Sequence, residues 1–115
     1  MITLLLISTG LVIFCVAFHG ASLQYAATKM FYQKAFSFKR ISFFICVVVI
    51  AHLFEILAFT VAYVLLCPHP DFGSIAGVAD PTWQDHYYFS AVTYTTTGYG
   101  DVTPTGNLRL LATVE

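Results

Sequence analysis

Charge is the scarcest commodity in this chain. Only 10% of its 115 residues are Asp, Glu, Lys or Arg, 58% are hydrophobic, and the mean hydropathy is +0.79. A soluble domain carries roughly 25% charged residues, so that class is excluded and a membrane protein is indicated. No charged residue occurs from Met1 to Thr28. The net charge of −1 gives no basic surface for nucleic acid, so no nucleic-acid partner is expected. The cysteines Cys15, Cys46 and Cys67 show no CxxC or Cys/His ligand spacing. That argues against a disulfide framework or a zinc site, and leaves small apolar filler as their role. No nucleophile–base constellation or phosphate-binding loop is present, so an enzyme is not expected, nor any cofactor.

What the chain has is long apolar runs. Residues 2–18 are apolar enough to insert and extend toward Leu23 to reach the roughly 20 residues of a span. A cleaved signal peptide would need a positive n-region, which is missing, although His19-Gly-Ala-Ser offers small residues. A retained transmembrane helix over 1–24 is therefore favoured. Residues 25–40 read as a cytoplasmic linker, with Tyr25, Phe31, Tyr32, Phe36 and Phe38 interleaved with Lys29, Lys34, Lys39 and Arg40. An interfacial helix suits that pattern. A voltage-sensing helix does not, because the lysines fall five apart and outside the span. A second hydrophobic run covers 41–67, about 40 Å as a helix.

Four of the five basic residues lie in the window 29–40. The positive-inside rule makes that window cytoplasmic, so the N-terminus and the loop 68–82 face outside. Pro68, Pro70 and Pro81 end the second span and shape that loop. Thr82-Trp-Gln-Asp85 fits a capping box opening a helix over 83–95, too short to span and so re-entrant. A last helix starts near Asn107, and the run stops two turns later at Glu115 without a cap or basic flank, which reads as a cut inside a membrane helix.

Between the two final helices stands Thr95-Thr-Thr-Gly-Tyr-Gly-Asp101. Two glycines one residue apart permit alternating unusual dihedrals, which a stack of carbonyls aimed at one axis requires. A tight Gly-Tyr-Gly turn in an external loop is the bland alternative, disfavoured by the helix before the run and the spans around it. The run resembles the signature sequence of the potassium-channel family, and 41–115 is similar to that family's outer helix, pore helix, filter and start of inner helix.

The resemblance implies an all-α membrane fold with an extended filter loop, and four identical subunits in the bilayer around one axis. It implies K⁺ held by carbonyls of Thr96, Thr97, Gly98 and Tyr99, with Gly100 completing the filter. Thr95, Asp101, Trp83, Tyr88 and Val92 would support it, and the Tyr99 ring would pack on pore-helix aromatics among Trp83, Tyr87, Tyr88 and Phe89. Thr97 stands where valine or isoleucine is frequent, and Val92 where some members carry glutamate. The extra N-terminal helix fits neither a two-helix nor a six-helix plan.

His52 and Glu55, three apart in the second span, share one helical face. A gating or proton-sensing pair, a metal-ligand pair and a plain hydrogen-bonded pair all fit them. His19, His69 and His86 read as interfacial or loop residues without partners. Besides a K⁺-selective pore subunit, the sequence leaves open a non-conducting form that co-assembles with full-length subunits, and a metal or proton carrier built on His52 and Glu55.

Overall fold

The structure, a computed structural model, describes residues 2–31 and 37–115. Four helices and one short strand pair follow in order: α1 (Ile2–Phe31), α2 (Phe38–Leu66), β1 (Ile75–Ala76), α3 (Trp83–Tyr94), β2 (Thr103–Pro104) and α4 (Leu108–Val114). The protein is an all-α membrane protein.

Helices α1 and α2 have 30 and 29 residues, about 45 Å each at 1.5 Å per residue. They lie antiparallel: Tyr25 meets Phe43 near one end, and Phe18 meets Phe54 further along at 4.3 Å between ring centroids. Only 17% of the most apolar window of either helix is buried. A core helix of a soluble protein would be mostly covered, so these apolar surfaces (Leu6, Ile13, Val16, Ile45, Ile50, Leu65) are built to face lipid.

The stretch expected to be a separate interfacial helix is divided differently. Helix α1 runs past residue 24 to Phe31, and α2 starts at Phe38, so the ends of the two spans absorb most of 25–40. The reason is that Tyr25-Ala-Ala-Thr-Lys-Met contains no helix breaker. Lys34, Tyr32 and Phe36 lie outside the described residues.

Helix α2 ends where Pro68 removes a donor, and the N–H of its C-cap Cys67 closes on the Tyr63 carbonyl at 2.9 Å. The loop then folds back on the segment that follows the glycine run. Strands β1 and β2 pair antiparallel, Ile75 with Pro104 and Ala76 with Thr103. Thr105 N–H donates to the Ser74 carbonyl at 2.8 Å, and Asn107 Nδ2 donates to the Asp71 carbonyl at 2.9 Å. The core joins α1, α2, α3 and α4 through Leu4, Phe59, Tyr63, Phe89, Leu108 and Leu111. Within it the Tyr63 hydroxyl donates to Glu115 Oε2 at 2.6 Å, and Ser90 Oγ lies 2.5 Å from Glu115 Oε1 and 2.9 Å from the Ile56 carbonyl.

Candidate functional site

Helix α3 begins at Thr82 in extended conformation, and a capping box joins Thr82 to Asp85. Asp85 Oδ2 accepts from the Thr82 N–H at 2.7 Å and from its hydroxyl at 2.6 Å. Those bonds hold the Asp85 carboxyl below the usual carboxylate range. Twelve residues span about 18 Å, too short to cross a bilayer. Thr95 is its C-cap; the Thr95 hydroxyl donates to the Ala91 carbonyl at 2.7 Å and lies 2.9 Å from Thr97 Oγ1.

Beyond Thr95 the backbone alternates. Thr96, Gly98 and Gly100 have φ of 57°, 49° and 81°, while Thr97 and Tyr99 between them do not enter the positive region. Thr96 is the sole non-glycine residue with positive φ among the described residues. In a plain strand successive carbonyls point to opposite sides; switching handedness at every second residue turns them toward a common side. The run is tethered to the helix that delivers it: Thr96 N–H donates to Thr93 O at 2.9 Å and Gly98 N–H to Val92 O at 3.0 Å. Val92 itself is buried, so its contribution here is a backbone acceptor and an apolar wedge. Residues 95–101 are all exposed on the single chain.

At the far end of the run, the Tyr88 hydroxyl donates to Asp101 Oδ2 at 2.8 Å, and Asp101 Oδ1 accepts the Val102 N–H at 3.0 Å. The bond to Asp101 raises the Tyr88 phenol above its ordinary range. The loop presses on the same place. A Cβ on Gly77, whose φ is +104°, would stand 2.0 Å from the Asp101 carbonyl oxygen. So the loop after α2 and the outer end of the run form one closely packed unit.

The Tyr99 ring stands largely in the open on the single chain. It is 71% exposed, and Trp83 is 48% exposed. The run leaves α3 at its C-terminal end, and residues 95–101 are exposed on the single chain. Trp83 instead lines an outer cavity with Cys67, Pro68, Ile75 and His86.

A second constellation lies where α1 and α2 meet the end of α3. His52 and Glu55 come together with two residues that the sequence reading left aside, His19 and Tyr94. His19 Nδ1 is 2.9 Å from Glu55 Oε1, and His52 Nδ1 is 3.4 Å from Glu55 Oε2. Tyr94 donates its hydroxyl to Glu55 Oε2, so the 2.6 Å contact between His52 Nδ1 and the Tyr94 oxygen has the imidazole N–H as donor. Glu55 is 5% exposed. The expectation that His19 has no partner is thus corrected. Its signal was a titratable residue inside the apolar stretch before Lys29, where no charged residue occurs. His69 stacks edge-on against Phe72, and His86 is buried with Nδ1 2.6 Å from the Thr82 carbonyl.

A family model described as "Ion channel" matches residues 51–115, which holds the second half of α2, the β1–β2 pair, α3, the glycine run and α4. No curated protein matches the chain, and no solved structure does.

Proposed function

From the premise that this chain belongs to the ion-channel family, which is not a family of enzymes, we propose that it is the pore-forming subunit of a K⁺-selective channel. Four identical copies would surround one axis in the bilayer, each giving one strand of the filter. The carbonyls of Thr96, Thr97, Gly98 and Tyr99 form the coordinating rings, with the Thr96 hydroxyl innermost and Gly100 closing the outer end. Carbonyl dipoles replace the hydration shell of the ion without a fixed anion, so K⁺ enters and also leaves. K⁺ is the permeant ion; no resident cofactor is required.

The observation that carries this reading is the alternation of backbone handedness at Thr96, Gly98 and Gly100, placed at the end of a short capped helix. A loop turn has no need of three alternating positive φ values, one of them paid for by a threonine. The negative end of α3 favours a cation beneath the run. The exposed Tyr99 ring supports assembly, since a neighbouring copy's α3 is the aromatic surface it lacks.

Orientation follows from charge and packing together. Lys29, Lys39 and Arg40 sit at one end of the antiparallel α1–α2 pair, and the loop that touches Asp101 through Gly77 sits at the other. Cytoplasmic basic residues therefore imply an N-terminus and a filter mouth outside. Rb⁺ or K⁺ uptake into liposomes carrying the protein tests the assignment. Uptake abolished by Gly98→Ala is expected; equal permeation of Na⁺, or uptake that survives Gly98→Ala, overturns it.

A further inference from the structure

We infer that His19, His52 and Glu55 form a binding site for a divalent transition-metal ion of the Zn²⁺ class, set behind the filter and coupled to it through Tyr94. The donor atoms of the three residues all lie within 4.8 Å of one another. Tetrahedral Zn²⁺, with ligand bonds of about 2.0–2.2 Å, places its ligands about 3.4 Å apart. The pairs seen here are 2.9 Å for His19 Nδ1 with Glu55 Oε1 and 3.4 Å for His52 Nδ1 with Glu55 Oε2, and no pair of the donor set exceeds 4.8 Å. Two imidazoles and a carboxylate are a borderline donor set, suited to Zn²⁺ or Co²⁺ and poorly suited to Ca²⁺ or Mg²⁺.

The site is built rather than incidental. His52 and Glu55 stand at i and i+3 on α2, and His19 arrives from α1, a helix outside the residues matched by the family model. The Glu55 carboxylate is buried in the middle of an apolar span and aimed at both imidazoles. A cavity of about 460 Å³ opens on His19, Glu55 and Tyr94, with Phe59 and Glu115 also in its wall. A fourth ligand, water or the Tyr94 oxygen, would complete a tetrahedral set.

Tyr94 gives the site a consequence. It is the last residue of α3, followed directly by the C-cap Thr95 and the left-handed Thr96. Its hydroxyl is held between Glu55 and His52. A metal that engages both of those residues takes the Glu55 lone pair that accepts from the Tyr94 hydroxyl and replaces the Nδ1 proton with which His52 donates to it, so the hydroxyl either joins the metal or leaves. Either outcome alters the anchor of the segment entering the filter. The site itself stands without the K⁺ reading; its effect on conduction rests on that reading.

The test is titration of the purified protein in lipid nanodiscs with Co²⁺ alone, followed by displacement with Zn²⁺. One Co²⁺ per chain is expected, with the intense visible bands of tetrahedral coordination, and these bands vanish on adding Zn²⁺. Affinity falls by about 10- to 100-fold or more in His19→Gln and in Glu55→Gln, and is unchanged in His69→Gln. His19→Gln is the decisive variant, because it alters a partly exposed side chain and leaves α2 intact, with helicity checked by circular dichroism. Absent tetrahedral bands, or bands that survive His19→Gln in a folded protein, overturn the site. Zn²⁺ is also expected to change ion flux through the wild type and not through His19→Gln. Tetrahedral binding with no change in flux keeps the site and overturns the coupling through Tyr94.

Discussion

Replacing Gly77 by alanine puts the link between the outer loop and the filter under direct strain. The added methyl would start 2.0 Å from the Asp101 carbonyl oxygen and 3.1 Å from its carbon. Contacts under 3.0 Å are essentially never made by real Cβ atoms, so the two segments must part by about 1 Å or more. Alanine at φ +104° costs a further 1–3 kcal/mol, roughly, in backbone strain. Overpacking costs about 1–3 kcal/mol more unless something yields. The cheapest thing to yield is the β1–β2 clamp, which has two residue pairs. Gly77→Ala should therefore destabilise the protein by about 2–6 kcal/mol, less whatever the clamp relieves by opening. Hydrogen exchange of Ala76, Val102 and Thr103 in nanodiscs reads the clamp, and thermal unfolding reads the cost. Gly10→Ala is the control: no atom lies within 4 Å of its Cβ, and alanine gains up to about 1 kcal/mol of helix propensity there. If Gly77→Ala exchanges and melts like the wild type, the described coupling of loop to filter is wrong.

Further expectations concern separate parts of the structure. Tyr88→Phe removes the 2.8 Å bond to Asp101 and should hasten the decline of flux during sustained conduction while leaving K⁺ over Na⁺ preference intact; unchanged kinetics would exclude that bond as a filter anchor. The Asp85 carboxyl is lowered in the folded state, so the cap it forms is fully present above the ordinary aspartate range and is lost as pH falls through that range and below. Exchange at the first turn of α3 should rise over that acid interval, and Asp85→Asn should show the raised exchange at neutral pH. Ser90→Ala withdraws a fully buried partner from Glu115 and should lower stability by about 1–3 kcal/mol, measured by thermal unfolding in detergent.

Local chemistry explains which features could be read without coordinates. Spans declare themselves by apolar length, α3 by the Thr82–Asp85 pairing, and the alternating backbone of 96–100 by glycine spacing, because each signal is contained in a few neighbouring residues. Contacts between distant segments leave no such trace. Nothing in the composition of α1 links His19 to Glu55, 36 positions away, and nothing in Tyr94 marks it as their neighbour. The approach of Gly77 to Asp101 is equally invisible, since a loop glycine has many uses. The division of 25–40 went to the longer helices because helix propensity there continued where charge patterning suggested a boundary. Tyr99 was expected on pore-helix aromatics, and on the single chain its ring is largely exposed.

The most direct test of the central claim is the reversal potential of single channels in planar bilayers with K⁺ on one side and Na⁺ on the other. A filter of carbonyl rings from Thr96, Thr97, Gly98 and Tyr99 requires a potential strongly displaced toward the K⁺ equilibrium value, and loss of that displacement in Gly98→Ala. A potential near zero in the wild type would contradict the account.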